Sequence, residues 1–192
     1  MAADSSGNDL SAVGVPLTGL AAIAPVDAAN VIADEDMGKT PLALVEAYVK
    51  LGLYKQDGGP QEARDDEDAI EFFQVGYKIA GDGTLTIQIN LAEDNEAVNK
   101  LIDGKEPNEQ GVVYVDSNLP DALWILFVAT RFKNGNELRR NGVARVQAVE
   151  VDQEERGSVR GKSVTLEWVP DDLFNGAPYK KWLGKPAVTP AP

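Results

Sequence analysis

The sequence predicts an α+β protein that is mostly β, built from antiparallel strands with one flanking helix, and three observations predict it. Residues 84–91, TLTIQINL, alternate apolar and polar side chains at the two-residue period of a half-buried strand. The run PDALWILFVATRF stops just before Asn134-Gly135, a hairpin turn signal, and an extended stretch from Glu137 to Val151 follows it. Helical spacing with both a start and a stop signal occurs clearly only in EDNEAVNKLIDG.

Taken in order, residues 1–14 are small and polar and predict an N-terminal arm that does not pack in an isolated subunit. In TPLALVEAYVKLG, Thr40 is placed to cap a short helix or turn, with Pro41 at its first position and Gly52 as its stop. Residues 55–68, KQDGGPQEARDDED, join Gly58, Gly59 and Pro60 to an acidic block and predict a long solvated loop.

The strand over 84–91 directs Leu85, Ile87, Ile89 and Leu91 to one face. The helix after it takes Asp94 as N-cap, gathers Val98, Leu101 and Ile102 on one side and closes at Gly104. GVVYVD, from Gly111 to Asp116, predicts a further strand. Leu123 to Val128 are apolar at every position, so the strand they form needs cover on both faces. Either a neighbouring subunit or the predicted helix supplies the second cover.

The return stretch carries an Asn141-Gly142 break, and SVTLEWVP repeats the alternating pattern with Val164, Leu166 and Trp168. Residues 184–192, GKPAVTPAP, predict a C-terminal arm, which leaves 15–183 as one domain of six or seven strands. A chain of 192 residues is long enough for one well-buried core.

Composition narrows the chemistry. The chain has no cysteine and no histidine, which excludes thiolate nucleophiles, disulfides, zinc sites of the usual ligands and Ser-His triads. A net charge of −13 disfavours non-specific attraction to nucleic acid or an anionic membrane. The N-terminal stretch lacks the basic start and apolar run of a signal peptide, and the longest apolar run, Ala122 to Ala129, falls far short of the roughly 20 residues a spanning helix needs. No membrane insertion is expected.

No motif points to catalysis or to a cofactor. Asp65, Asp66, Glu67 and Asp68 are contiguous, so their carboxylates point in different directions, unlike the alternating ligands of a calcium loop. Asp34, Glu35 and Asp36 cluster beside Met37, yet nothing in one sequence sets two of them across a cleft. No glycine-rich phosphate loop is present. Trp124 and Trp168 fall in predicted strands and are assigned to the core, while Trp182, in PYKKWLGK, is a candidate anchor for the C-terminal arm.

The order of these segments resembles the major tail tube protein of long-tailed bacteriophages, particularly those infecting actinobacteria. APVDAANVI, LGLYKQDGG and IEFFQVG are similar to the opening pattern of that family, and INLAEDNEAVNKLIDG to its strand-to-helix element. ALWILFVATRFKNGNELRRNGVARVQAVEV resembles its long hairpin, and SVTLEWVPD with PYKKWL its closing strand and tail.

The resemblance implies a β-sandwich of the tail tube type, hexameric rings stacked into a hollow tube, and passage of phage DNA without specific binding. It places the protein in the virion tail, and in the host cytoplasm before assembly. Its implied partners are other copies of itself and the tape-measure, tail tip and terminator proteins. Asp57, Arg64, Asp65, Asp66, Glu67 and Asp68 become candidates for contact between rings, together with the two arms. An acidic lumen would repel phosphate and let a duplex slide. A head decoration protein, the tube of a contractile device, and a carbohydrate-binding module using Trp and carboxylates are the alternatives.

Overall fold

A strand apolar on both faces forces the rest of the chain to supply two covers, and the fold is organised around that demand. The computed structural model describes residues 5–188. In chain order its strands are β1 (Pro16–Pro25), β2 (Lys39–Thr40), β3 (Val49–Lys50), β4 (Gln61–Asp66), β5 (Ile70–Glu71), β6 (Lys78–Ile79) and β7 (Gly83–Leu91). Helix α1 (Glu96–Asp103) comes next, then β8 (Leu123–Phe132), β9 (Glu137–Val151), β10 (Lys162–Val169), β11 (Tyr179–Gly184) and β12 (Ala187–Val188). The fold is mostly β, with α1 the single α-helix among the described residues.

Eight strands form one sheet in the order β3-β1-β8-β9-β10-β7-β4, with β11 added beside β9. All its pairings are antiparallel. The long strand β9 makes this possible, because residues 137–142 pair with β11 and residues 143–151 with β10 along the same edge. Beyond β3 the chain crosses to β7: the Ala92 amide donates to Leu53 O at 2.8 Å and the Lys55 amide to Asn90 O at 2.9 Å. Residues 49–58 thereby join the two ends of the sheet and roll its halves face to face.

The inner face carries the alternating residues of each strand. Ile23, Leu126, Val128, Ala144, Val146, Val164, Leu166, Trp168, Ile87 and Ile89 meet there, with Val98 and Leu101 of α1 completing the same core. The helix is held by the Asn95 side chain, which accepts from the Val98 amide at 2.9 Å, and stops at Gly104 with φ of 64°. Asp94, expected as the cap, instead pairs with buried Lys162 on β10, which frees the next residue to cap.

The outer face of the same strands presents Ala22, Ala24, Ile125, Phe127 and Val143, and it is covered by Ile32, Met37, Tyr48 and Phe174 from the chain's own connections. The chain itself supplies cover on both faces: α1 serves the inner core, and residues 28–48 blanket the outer one. Asn141 fixes that blanket. Fully buried, it accepts from the Ile32 amide at 3.2 Å and donates to Tyr48 Oη at 3.0 Å and Leu126 O at 3.3 Å. Tyr48 donates onward to Asn30 O at 2.7 Å, and burial pushes its hydroxyl up to about 12.

Three local expectations are corrected. Asn141-Gly142 is no break, since β9 runs through it; a Cβ on Gly142 would lie 2.4 Å from Pro178 O, so the glycine permits close approach of β11. Of the helix or turn expected over residues 40–52 only a turn forms, with the Tyr48 amide donating to Val45 O at 3.0 Å, because Thr40 is drawn into β2 by parallel pairing with β12, and Leu42 and Leu44 spread over the outer core. Residues 111–116 form no strand and leave Val112, Tyr114 and Val115 exposed. Strand-forming side chains need a partner edge, and β8 is paired on both sides by β1 and β9.

Removing side-chain volume from the doubly covered strand is costly. Leu126→Ala should destabilise the protein by about 2–5 kcal/mol in urea unfolding. The Asp94 carboxyl is held below its ordinary range, chiefly by its hydrogen bond from Lys162. A carboxylate with a depressed folded pKa contributes stability above its unfolded value near 3.8 and loses it as pH falls through the lower folded one. Asp94→Asn should therefore show a shallower loss of stability than the parent as pH falls below about 4.

Candidate assembly surface

The most exposed apolar structure in the protein grows directly out of its sheet. Strand β4 pairs with β7 from Gln61↔Gln88 to Asp66↔Gly83, and beyond that the hairpin continues through Glu67 N donating to Asp82 O at 3.1 Å. A Cβ on Gly81 would fall 2.2 Å from Glu67 O, so only glycine lets the two arms stay this close. The arms pair again as β5 and β6, braced by Lys78 and Glu71 at 2.5 Å, and turn over 72–77, where Gly76 has φ of 96°.

At the tip the polarity inverts what an exposed turn ordinarily shows. Phe73 and Val75 are 100% and 99% exposed, and Ile70, Phe72, Tyr77 and Ile79 are exposed with them. Fully burying such side chains is worth about 1.5–3 kcal/mol each, and nothing on the same chain buries these. A contiguous exposed apolar group of this kind marks an interaction surface.

The sequence-predicted contact residues lie behind the tip. Residues 61–66 form an edge strand, not the solvated loop expected over 55–68. The glycines, proline and charges there hide the strand from local patterning, while the free edge of β7 supplies backbone partners for it. Arg64, Asp65 and Asp66 sit in β4, Glu67 and Asp68 continue from it, and Asp57 lies in the turn before it. None of Asp57, Asp65, Asp66, Glu67 and Asp68 has an ion-pair partner among the described residues. Charged side chains on an exposed edge oppose indiscriminate strand pairing.

The residue that fixes this arm to the body is Glu62, which sequence reasoning did not single out. Its carboxylate accepts from Arg140 Nε at 2.6 Å and Nη2 at 3.0 Å, and from Tyr179 Oη at 3.3 Å. The Arg140 side chain is only 6% exposed. Alternation in QEARDD places Glu62 opposite Ile87 on the inward side, but the pairing became visible only with the register.

Trp182, the candidate arm anchor, packs against its own domain. It lies in β11 under the Arg139 guanidinium, 5.4 Å from ring centre to Cζ, and a Cβ on Gly38 would be 3.1 Å from the ring. Beyond it the Ala187 amide donates to Gly38 O at 2.8 Å, so the first part of the stretch expected as a free arm, 184–192, lies against β2; residues 189–192 fall outside the described residues. At the other end, residues 1–4 of the expected arm are also outside them. Asn134 Nδ2 donates to Ser11 O at 3.0 Å and Val13 O at 3.2 Å and holds the remainder of that arm near the β8–β9 turn.

Trp168 is buried in the inner core, and Trp124 and Trp182 are half-buried, so the three rings make no open stacking platform. Among the described residues no group of three or more carboxylates is placed to hold a metal ion, and no helix is long and apolar enough to cross a membrane.

Truncating Glu62 strands a buried guanidinium. Glu62→Ala should cost about 1–3 kcal/mol in chemical unfolding, after allowance for the partly exposed carboxylate, whereas Asp65→Asn should leave stability within about 0.5 kcal/mol.

No family model matches the chain, and no curated protein matches it. Among solved structures the chain is similar to the SPP1 tail tube, determined by solid-state NMR and electron microscopy, with a TM-score of 0.39 and 11% identity over 78% of this chain and 72% of that one.

Proposed function

We propose that this protein is a structural subunit that assembles with copies of itself into the tail tube of a long-tailed bacteriophage. The observation that carries the reading is the projecting hairpin, whose apolar tip is built by regular strand pairing and yet has no seat on its own chain. Two strands of the sheet offer open backbone: β4 pairs only with β7, and residues 16–20 of β1 pair only with β8. Unpaired edges and an apolar tip are the equipment of a subunit meant to be completed by neighbours.

The order of sequence segments supports the more specific reading of stacked hexameric rings around a channel for DNA. Contacts between rings use two different surfaces on each copy, and such heterologous contacts generate an open filament. Asp57, Arg64 and the acidic residues 65–68 belong to the inter-ring contact in this reading, with the N-terminal arm beside them. The charge of −13 suits a conduit whose cargo is polyanionic, because phosphate is repelled and a duplex does not adhere. Tape-measure, tip and terminator proteins would set length and ends.

Electron microscopy of the concentrated protein after negative staining checks this. Hollow tubes with a regular axial repeat are expected. Phe73→Ser with Val75→Ser should keep the monomer folded, because both side chains are exposed, and should abolish the tubes. Discrete monomers from the parent chain at all concentrations, or unchanged tubes from the double variant, would contradict the proposal.

A further inference from the structure

An apolar tip that is exposed on every copy needs a receiving site, and the outer face of the sheet holds one of fitting size. Leu20, Phe127 and Ala129 form the floor of an open cleft of about 370 Å³, and Leu42, Leu44 and Tyr48 from the covering segment form its wall. A cavity of about 150 Å³ suffices for a benzene ring, so this cleft has room for a phenylalanine and an adjoining side chain. It is filled by nothing from its own chain.

The rim of this cleft carries both signs, since Glu46 and the paired Glu137 and Arg139 line it with Lys50, and further cations lie beyond it along β8. Lys50 lines it, and Arg131 lies on the same face of β8, two residues past Ala129, with Lys133 beyond in the turn and Lys185 near Gly135, where an added Cβ would be 3.9 Å from the lysine Cε. None of these four cations has an ion-pair partner among the described residues. The hairpin carries the complementary sequence, an apolar tip followed at a distance by four unpaired acids. At about 3.3 Å per extended residue, Phe73 to Asp68 spans roughly 17 Å and Ala129 to Lys133 roughly 13 Å. A tip seated in the cleft therefore brings Asp68 level with Lys133, whereas Asp65, roughly 26 Å from Phe73, lies beyond it. Two copies each carrying −13 repel unless their contact opposes unlike charges, and this pairing does.

We infer that the hairpin tip of one copy seats Phe73 in the outer-face cleft of a second copy, with Asp68 beside Lys133. The inference rests on the self-assembly reading and gives it a specific contact. The two patches differ, so each copy both inserts a tip and receives one.

The absence of cysteine makes an engineered disulfide unambiguous. Phe73→Cys and Val45→Cys alter two exposed side chains, the second at the mouth of the cleft. Under mild oxidation at assembling concentration, the double variant should give a ladder of covalent oligomers, and a mixture of the two single variants should give the mixed dimer. Lys133→Glu should weaken association at least tenfold, and mixing with Asp68→Lys copies should restore it. Tubes without the ladder, or disulfides only between two tips, overturn this contact and leave the tube reading standing. Absence of both tubes and ladder overturns both.

Discussion

The structure depends on one constraint: β8 is apolar on both faces and lies between two partners in the middle of the sheet. Its inner side is served by the rolled sheet and α1, and its outer side by residues 28–48 and Phe174. Because the outer cover is a chain segment without regular structure, it needs polar fixing, and Asn141 provides it from the strand beside β8. Burial of that amide is tolerated because both ends of its side chain are satisfied.

Meeting this constraint within one chain has a consequence for association. The broad faces of the sheet are closed, so what remains for a neighbour is the edge material: the hairpin, the open side of β1 and the partly walled cleft on the outer cover. Glu62 and Arg140 tie the first of these to the body, so a load on the hairpin is passed to β9 and not to a loop.

Much of the fold was legible in the sequence. The alternation over 84–91, the helix spacing of 96–103 and the Asn134-Gly135 turn are local signals with large physical effects, and each appears where expected. What failed was decided at long range. Asn141-Gly142 carries a turn signature, but a buried hydrogen-bond hub and a close strand crossing outweigh it. Val112 to Val115 have strand propensity but pair with no edge of the sheet. Residues 61–66 have a loop composition and a waiting edge. For the candidate surface, the acidic residues were visible as a block, whereas the tip was not, because FFQVGY reads as ordinary strand material until its pairing shows both arms turning in solvent.

Hydrogen exchange comparing dilute and assembled protein tests the central claim most directly. The account predicts that amides of residues 70–79 gain protection on assembly, while the amides of β8, already closed on both sides, stay slow in both states. New protection confined to residues 104–122, with the hairpin exchanging as fast as before, would contradict it.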